Sequence, residues 1–282
     1  MDGFLLINKD KDWTSRDVCN RLSHILHTKK IGHNGTLDPF AEGLMIVGVN
    51  KSTKALIYAN FEYKTYVAKL KLGIQTDTGD LTGEVIKEIK APTFSKEKIQ
   101  EVFHSFIGKN QQLIPMTSAV HVNGRKLYQY LHEGIKVDRP TREVEIKYIE
   151  LLDYQDDVIT FKTLVSSGTY IRVLGEDIAN KLNTCGHLIS LIRTSFGEKE
   201  EITLNKAIKL DEVDESKLLN PIPFINLPHV YIDEVMTFKA KAGQKLSFDN
   251  KEDKILLIHQ EQPIAIYVRI NQKIFAPERG LW

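Results

Sequence analysis

The sequence predicts an α+β protein: a mixed, mainly antiparallel sheet flanked by helices and loops, followed by a small β module. Three observations lead there. Segments that alternate with period two are interleaved with segments whose apolar residues recur every three or four positions. A proline-rich stretch, "LNPIPFINLP" at 219–228, sets off a short tail. That tail carries the strand-like runs "KILLIHQ" and "PIAIYVRI", parted by turns. The expected division is a mixed domain over 1–220, a linker over 219–228 and a β-rich module over 229–282.

The elements follow in order. "GFLLINK" reads as an opening strand. In "TSRDVCNRLSHILHT", Thr14 and Asp17 have capping-box spacing, which satisfies two free N–H groups at a helix start, and Val18, Leu22, Ile25 and Leu26 share one face. "HNGTLDPFAEG", residues 33–43, is a turn-rich loop, and "GLMIVGV" after it is a continuous apolar strand suited to burial on both faces. Ser52 is placed to cap a short helix running to Ala59. "EYKTYVAKLKLG" alternates, so Tyr66, Ala68, Leu70 and Leu72 share an inward face. "TDTGDLTG" at 76–83 is a loop. Ser95 opens a helix with Ile99, Val102, Phe103, Phe106 and Ile107 along one stripe, ended by Gly108. A short helix fits 125–133, and strands fit 142–153 and 157–166. "SSGTYIRVLGEDIANKL" then turns through Gly168 into a helix whose first turn carries Tyr170 and Arg172.

Composition limits the function classes. With 42% hydrophobic and 27% charged residues, the chain is neither disordered nor fibrous. No stretch approaches the roughly 20 apolar residues of a membrane span, and the first residues lack a secretion signal. Cys19 and Cys185 have no metal or redox spacing, so reduced thiols and a cytoplasmic location are expected. A net charge of +1 is small for a nucleic-acid binder. Its distribution is uneven: residues 121–147 interleave basic side chains with Tyr128 and Tyr130, while acids gather at 198–215. A local basic face and a mixed solvated surface both fit that pattern.

The chemistry centres on the 33–43 loop. Gly32, Gly35 and Pro39 confine its backbone, and an aspartate before proline is kept out of the helical region, so Asp38 is presented rigidly. From residue types alone, an Asx turn at Asp38 and a surface place for His33 explain the loop as well as a site does. A site is favoured by what surrounds it, namely an inward tyrosine and an arginine at a helix start. A lone carboxylate is a competent nucleophile at an anomeric carbon. It must stay ionised while buried, and an adjacent guanidinium opposes the burial shift and fixes both oxygens. Arg172 is the candidate partner; an ordinary exposed arginine at a helix start is the alternative. Hydrolytic glycosidase chemistry lacks a second carboxylate in a matching pattern.

Residues 32–54, "GHNGTLDPFAEGLMIVGVNKSTK", resemble the GHxGTLDP segment of the TruB family, the tRNA pseudouridine-55 synthases. The resemblance extends in order through "INKDKDWTS", "KTYVAKLKLGIQTDTGD", "IPMTSAVHVNGRKLYQYLHEGI", "SSGTYIRVLGEDIANKL" and "HLISLIRTSFG". It implies a pseudouridine-synthase-type sheet and isomerisation of one uridine in the T loop of tRNA, with no cofactor and no metal. It implies a monomer whose partner is the tRNA T arm, without membrane or guide RNA; the long, basic tails of guide-dependent relatives are absent here. Asp38 matches the catalytic aspartate, and the sequence leaves open whether it attacks C1′ or removes the 2′ proton to give a glycal. Tyr66 matches the tyrosine that stacks on the base and is placed to help remove the C5 proton, Tyr170 a pocket residue, and Arg172 the partner of Asp38. Leu191 matches an apolar pocket residue and His33 the histidine that contacts the flipped-nucleotide region. Lys9 and Asp80 lie in matching blocks, and substrate contact or a structural role fits each. A uridine stacked in the T loop must be flipped out to reach Asp38. The tail, with "KAGQKLSF" and "IFAPERGLW", loosely resembles a PUA-type RNA-binding module; a structural cap fits it too. Asn34, Phe40 and the near-neutral charge depart from the family's pattern. Two further readings stand beside catalysis: a second role as a tRNA-folding chaperone, and a non-catalytic protein that binds and remodels the tRNA elbow.

Overall fold

A computed structural model describes residues 1–59 and 61–282. The first half supplies β1 (Gly3–Lys9), α1 (Ser15–Ile25), β2 (Ile31–Asn34), β3 (Glu42–Val49), β4 (Tyr63–Leu72), β5 (Ile74–Thr76), β6 (Val85–Glu88), α2 (Lys96–His104) and β7 (Gly108–Leu113). Then come β8 (His121–Val122), β9 (Arg125–Lys126), α3 (Leu127–His132), β10 (Thr141–Gln155), β11 (Val158–Ser166), α4 (Ile171–Lys181), β12 (Gly186–Phe196) and β13 (Ile202–Thr203). Among the described residues these build a nine-stranded sheet in the order β1-β3-β12-β4-β11-β10-β7, with β2 beside β3 and β13 beside β12. The β3–β12 pair is parallel and the rest of this sheet is antiparallel, as the mixed, mainly antiparallel expectation requires.

Local chemistry sets the elements. The Thr14 hydroxyl accepts from the Asp17 N–H at 3.0 Å while the Asp17 carboxylate accepts from the Thr14 N–H at 3.0 Å, so the capping box starts α1. Val18 and Leu22 then enter the core. On β4, Tyr66, Ala68, Leu70 and Leu72 are all buried, as the alternation predicts. β1 and β3 carry unbroken apolar runs, over residues 4–7 and 44–47, because both their faces are covered there. Leu5, Ile7, Met45 and Val47 pack under the α-helices, while Phe4, Leu6, Leu44 and Ile46 join a second cluster on the opposite face.

The tail supplies β14 (His229–Tyr231), α5 (Glu234–Lys241), β15 (Leu246–Ser247), β16 (Lys254–His259), β17 (Gln262–Asn271) and β18 (Ile274–Gly280). Its strands form a separate sheet in the order β14-β16-β17-β18-β15. Leu256, Ile258, Ile266 and Leu281 lie in the same apolar cluster as Phe4 and Ile46, so this sheet is packed onto the larger one.

Several local expectations give way to tertiary contacts. His33 is not in a loop; it sits on β2, opposite Val47 of β3. Among the described residues Ser52 caps no helix; it is buried inside a 3-10 turn over Asn50–Ala55 whose preceding residue, Val49, makes no side-chain cap. The helix from Ser95 stops at His104 rather than running to Gly108. There the Asn110 side chain donates to the carbonyls of Phe106 and Gly108 at 2.6 and 2.9 Å and folds the chain back into β7. The proline-rich stretch at 219–228 is packed down rather than extended, with Ile222, Phe224 and Ile225 buried and Leu219 bridged to Phe4.

Candidate active site

The loop between β2 and β3 is held from below by side chains distant in sequence. The Ser15 hydroxyl accepts from the Leu37 N–H at 2.9 Å and donates to the Leu37 carbonyl at 3.2 Å. The Lys9 ammonium donates to the carbonyls of Pro39, Trp13 and Asp10 at 3.2, 2.6 and 3.0 Å. Arg193 of β12 donates to the carbonyls of Gly35 and Thr36 at 3.2 and 3.4 Å. At the loop's end the chain passes Arg193 so closely that a Cβ on Gly43 would meet the Arg193 carbonyl oxygen at 2.4 Å, and Gly43 has φ +106°. The loop carbonyls, mostly lost to a regular ladder, are thus satisfied by buried cations and a hydroxyl.

This scaffold aims Asp38 into a cavity of about 360 Å³, within the range of small-molecule sites. Arg172, one residue into α4, meets it with Nε 2.9 Å from Oδ2 and Nη2 donating to Oδ1 at 3.3 Å, a two-pronged pair. The same guanidinium donates from Nη1 to the Thr78 carbonyl and the Thr117 hydroxyl at 2.8 Å each. Asp80 stands behind it, with Oδ2 3.4 Å from Nη1. The Asp38 side chain is 35% exposed and meets water through the cavity it lines. Burial pushes its carboxyl above the usual range, Arg172 opposes that push and Asp80 adds to it. Filling the cavity removes the remaining water and makes the Arg172 pair the chief support of the ionised form.

Tyr66 and Leu191 stand on the neighbouring strands β4 and β12, both buried and both lining the cavity. Tyr170, the residue before α4, lines it too. Its backbone is clamped by the buried Gln112 amide, which accepts from the Tyr170 N–H at 2.7 Å and donates to its carbonyl at 3.0 Å. The structure therefore brings Asp38, Tyr66, Tyr170, Arg172 and Leu191 together around one space.

Three of the expected substrate contacts lie outside this cavity. Lys9 is fully buried and its ammonium is committed to three carbonyls, an arrangement that fits the structural one of its two expected roles. Burial lowers its pKa to about 8. Asp80 is 4% exposed, and its Oδ1 accepts from the Thr82 N–H and the hydroxyls of Thr78 and Thr82; it steadies Arg172 from outside the cavity. His33 is half-buried on β2, outside the cavity lining, and its Nδ1 has no hydrogen-bond partner among the described residues. Burial and the charge of Arg193 hold its pKa below the usual imidazole value.

Sequence reasoning missed Lys64, Thr117 and Arg193 in the lining. Arg193 follows Leu191 by two on β12, so strand alternation was the available signal once that segment was known to be a strand. In the 121–147 stretch, Arg125 is paired with Glu133 and lies 5.0 Å from the Tyr130 ring, so part of its basic charge is spent internally. Among the described residues no three histidine, cysteine or acidic side chains converge as a metal site, and no helix is long and apolar enough to cross a membrane.

A family model described as TruB family pseudouridylate synthase (N terminal domain) matches residues 23–171. The tRNA pseudouridine synthase B of Hydrogenovibrio crunogenus is 36% identical over 290 residues, covering 99% of this chain and 93% of that protein. That of Bacillus pumilus is 35% identical over 282 residues, covering 95% and 89%. A crystal structure of a Cbf5-Nop10-Gar1 complex matches with a TM-score of 0.73 at 23% identity, over 99% of this chain and 85% of the matched one, a likeness of fold. With a matching family model over more than half its length and relatives aligned nearly end to end, this chain belongs to the TruB family of pseudouridylate synthases.

Proposed function

We propose that this chain isomerises a uridine in the T loop of tRNA to pseudouridine, acting in the cytoplasm as a monomer without cofactor or guide RNA. The observation that carries the reading is the two-pronged Asp38–Arg172 pair at the cavity wall, with Tyr66 on the adjacent strand. It is supported by relatives named tRNA pseudouridine synthase B.

In this reading the target uridine is everted into the cavity, which costs a few kcal/mol of unstacking that contact with Tyr66 offsets. Ionised Asp38 acts on the ribose, by attack at C1′ or removal of the 2′ proton. Arg172 keeps that carboxylate charged in a space that excludes water. The N1–C1′ bond breaks, uracil turns over within the closed space, and a C5–C1′ bond forms. The C5 proton leaves to solvent and N1 gains one, so atoms balance without an external reactant. Tyr170 and Leu191 confine the ring, His33 contacts the loop from which the base departs, and the module over 229–282 extends the RNA-binding surface of the catalytic domain over 1–220.

The test is tritium release from a T-arm stem-loop labelled at C5 of uridine, with the purified chain alone and a chelator present. Release is expected from the wild-type chain and none from Asp38→Asn, which should still bind the stem-loop. A folded wild-type chain that binds but releases nothing refutes catalysis and leaves RNA remodelling.

A further inference from the structure

We propose that Lys64 and Arg193, flanking the bare backbone of Gly35, bind a backbone phosphate of the nucleotide whose sugar reaches Asp38; this rests on the RNA-isomerase reading. Lys64 lines the cavity from β4, yet among the described residues its ammonium has no hydrogen bond and no carboxylate partner. Its neighbours are the Phe196 ring, 5.9 Å away, and a second cation, Arg193. Arg193 is 1% exposed and donates to the carbonyls of Leu44, Gly35 and Thr36, with the Tyr66 hydroxyl also against it. No carboxylate faces it among the described residues.

Gly35 brings bare backbone beside both cations. It has φ +85°, and a Cβ placed there would stand 3.4 Å from Lys64 Nζ and 3.6 Å from Arg193 Nη1. The missing side chain leaves a notch that both cations border. Burying like charges without an anion is unfavourable, and an arriving anion relieves it. Burial and Arg193 already lower the Lys64 pKa to about 8, the signature of an ammonium short of a counter-charge.

The cavity is consequently dipolar. Around Asp38 two carboxylates share one guanidinium, whereas around Gly35 two cations share no acid. An RNA nucleotide matches that polarity: its 5′ phosphodiester is tied to C1′ through O5′, C5′, C4′ and O4′. Seating the phosphate against Lys64 and Arg193 orients the uncharged C1′ toward Asp38. Lys9, the fully buried lysine beneath the loop, cannot serve because it lies outside the cavity lining, where Lys64 and Arg193 both stand.

The test is a binding cycle with T-arm stem-loops in which one phosphate beside the target uridine is replaced by an uncharged methylphosphonate. Binding is measured on chains carrying Asp38→Asn, so substrate persists. With Lys64 present, the neutral linkage should weaken binding about tenfold, the size expected for one charge-assisted bond. Lys64→Met should weaken binding of the native RNA by a similar factor, lose little more on the neutral linkage, and lower the salt slope by about 0.7. Lys64→Arg should keep the wild-type response. If the Lys64→Met and neutral-linkage effects multiply in full at both flanking positions, the phosphate site is refuted. Tritium release by the wild-type chain is read separately, so loss of the isomerase reading and loss of this site are distinguishable.

Discussion

Replacing Arg172 by methionine keeps the length and apolar stem of the side chain and removes the charge that faces Asp38. The contacts are 2.9 and 3.3 Å, which puts the charge centres roughly 4 Å apart. At that separation the attraction is about 1 kcal/mol in water and about 4 kcal/mol at the effective dielectric of a protein's outer layers. Arg172 is 6% exposed and Asp38 35% exposed, so an intermediate value of about 2 kcal/mol applies after allowing for screening through the cavity mouth. That corresponds to about 1.5 pH units. The direction follows from the chemistry: losing a cation disfavours the ionised form, so the Asp38 pKa, already raised by burial, rises further. Asp80, formerly sharing the same guanidinium, pushes the same way. The assay is single-turnover tritium release from the T-arm stem-loop across pH 4.5 to 8, at about saturating protein. The acid limb should move up by about 1.5 units in Arg172→Met, and by less in Arg172→Lys, which restores charge without the planar fork. An acid limb unmoved in a folded Arg172→Met chain that still releases tritium would show that the guanidinium does not support Asp38.

Three further outcomes follow from the packing. Lys9→Met leaves the Pro39 and Trp13 carbonyls without their donor and should lower stability by about 1–3 kcal/mol, read as a shift of the urea midpoint. Gly43→Ala places a methyl 2.4 Å from the Arg193 carbonyl at a positive φ and should cost about 3 kcal/mol or more, with a lower Tm as the readout. Lys64→Met should stabilise the free chain at pH 7 by about 1 kcal/mol while weakening RNA binding. Here the folded pKa of about 8 lies below the unfolded value, so the charged form penalises folding below pH 8. Wild-type stability should therefore climb as pH rises from about 8 toward the unfolded lysine value of about 10.4, and that climb should shrink in Lys64→Met.

Much of the site was legible because its parts are local. Asp38 sits in a bend fixed by Gly35 and Pro39, Tyr66 on a strand with unbroken alternation, and Arg172 at a helix start, and the fold brings these three together. What escaped depends on distant partners. β12 was illegible as a strand because it pairs in register with β4 only through irregularities after Leu188 and Arg193, and because buried Arg193 and Ser195 break an apolar pattern. Lys9 looks like an ordinary surface lysine until Pro39 and Trp13 bring carbonyls to it. His33 carries turn residues after it and reads as loop, yet β3 recruits it as an edge strand. α5 went unseen because it has almost no apolar stripe: Thr237 and Ala240 are buried, while Val235 and Phe238 face outward.

The apolar cluster shared by β1, β3 and the C-terminal sheet bears on how the chain reaches its native state. Phe4 and Leu6 leave a ribosome long before four residues that share their apolar cluster, Leu256, Ile258, Ile266 and Leu281. Until those four residues are made, that cluster is incomplete and part of its apolar surface stays open, a hazard for non-local pairings. A polypeptide halted before β16 should consequently recruit holding chaperones or clump, even though every residue around Asp38 has already been made.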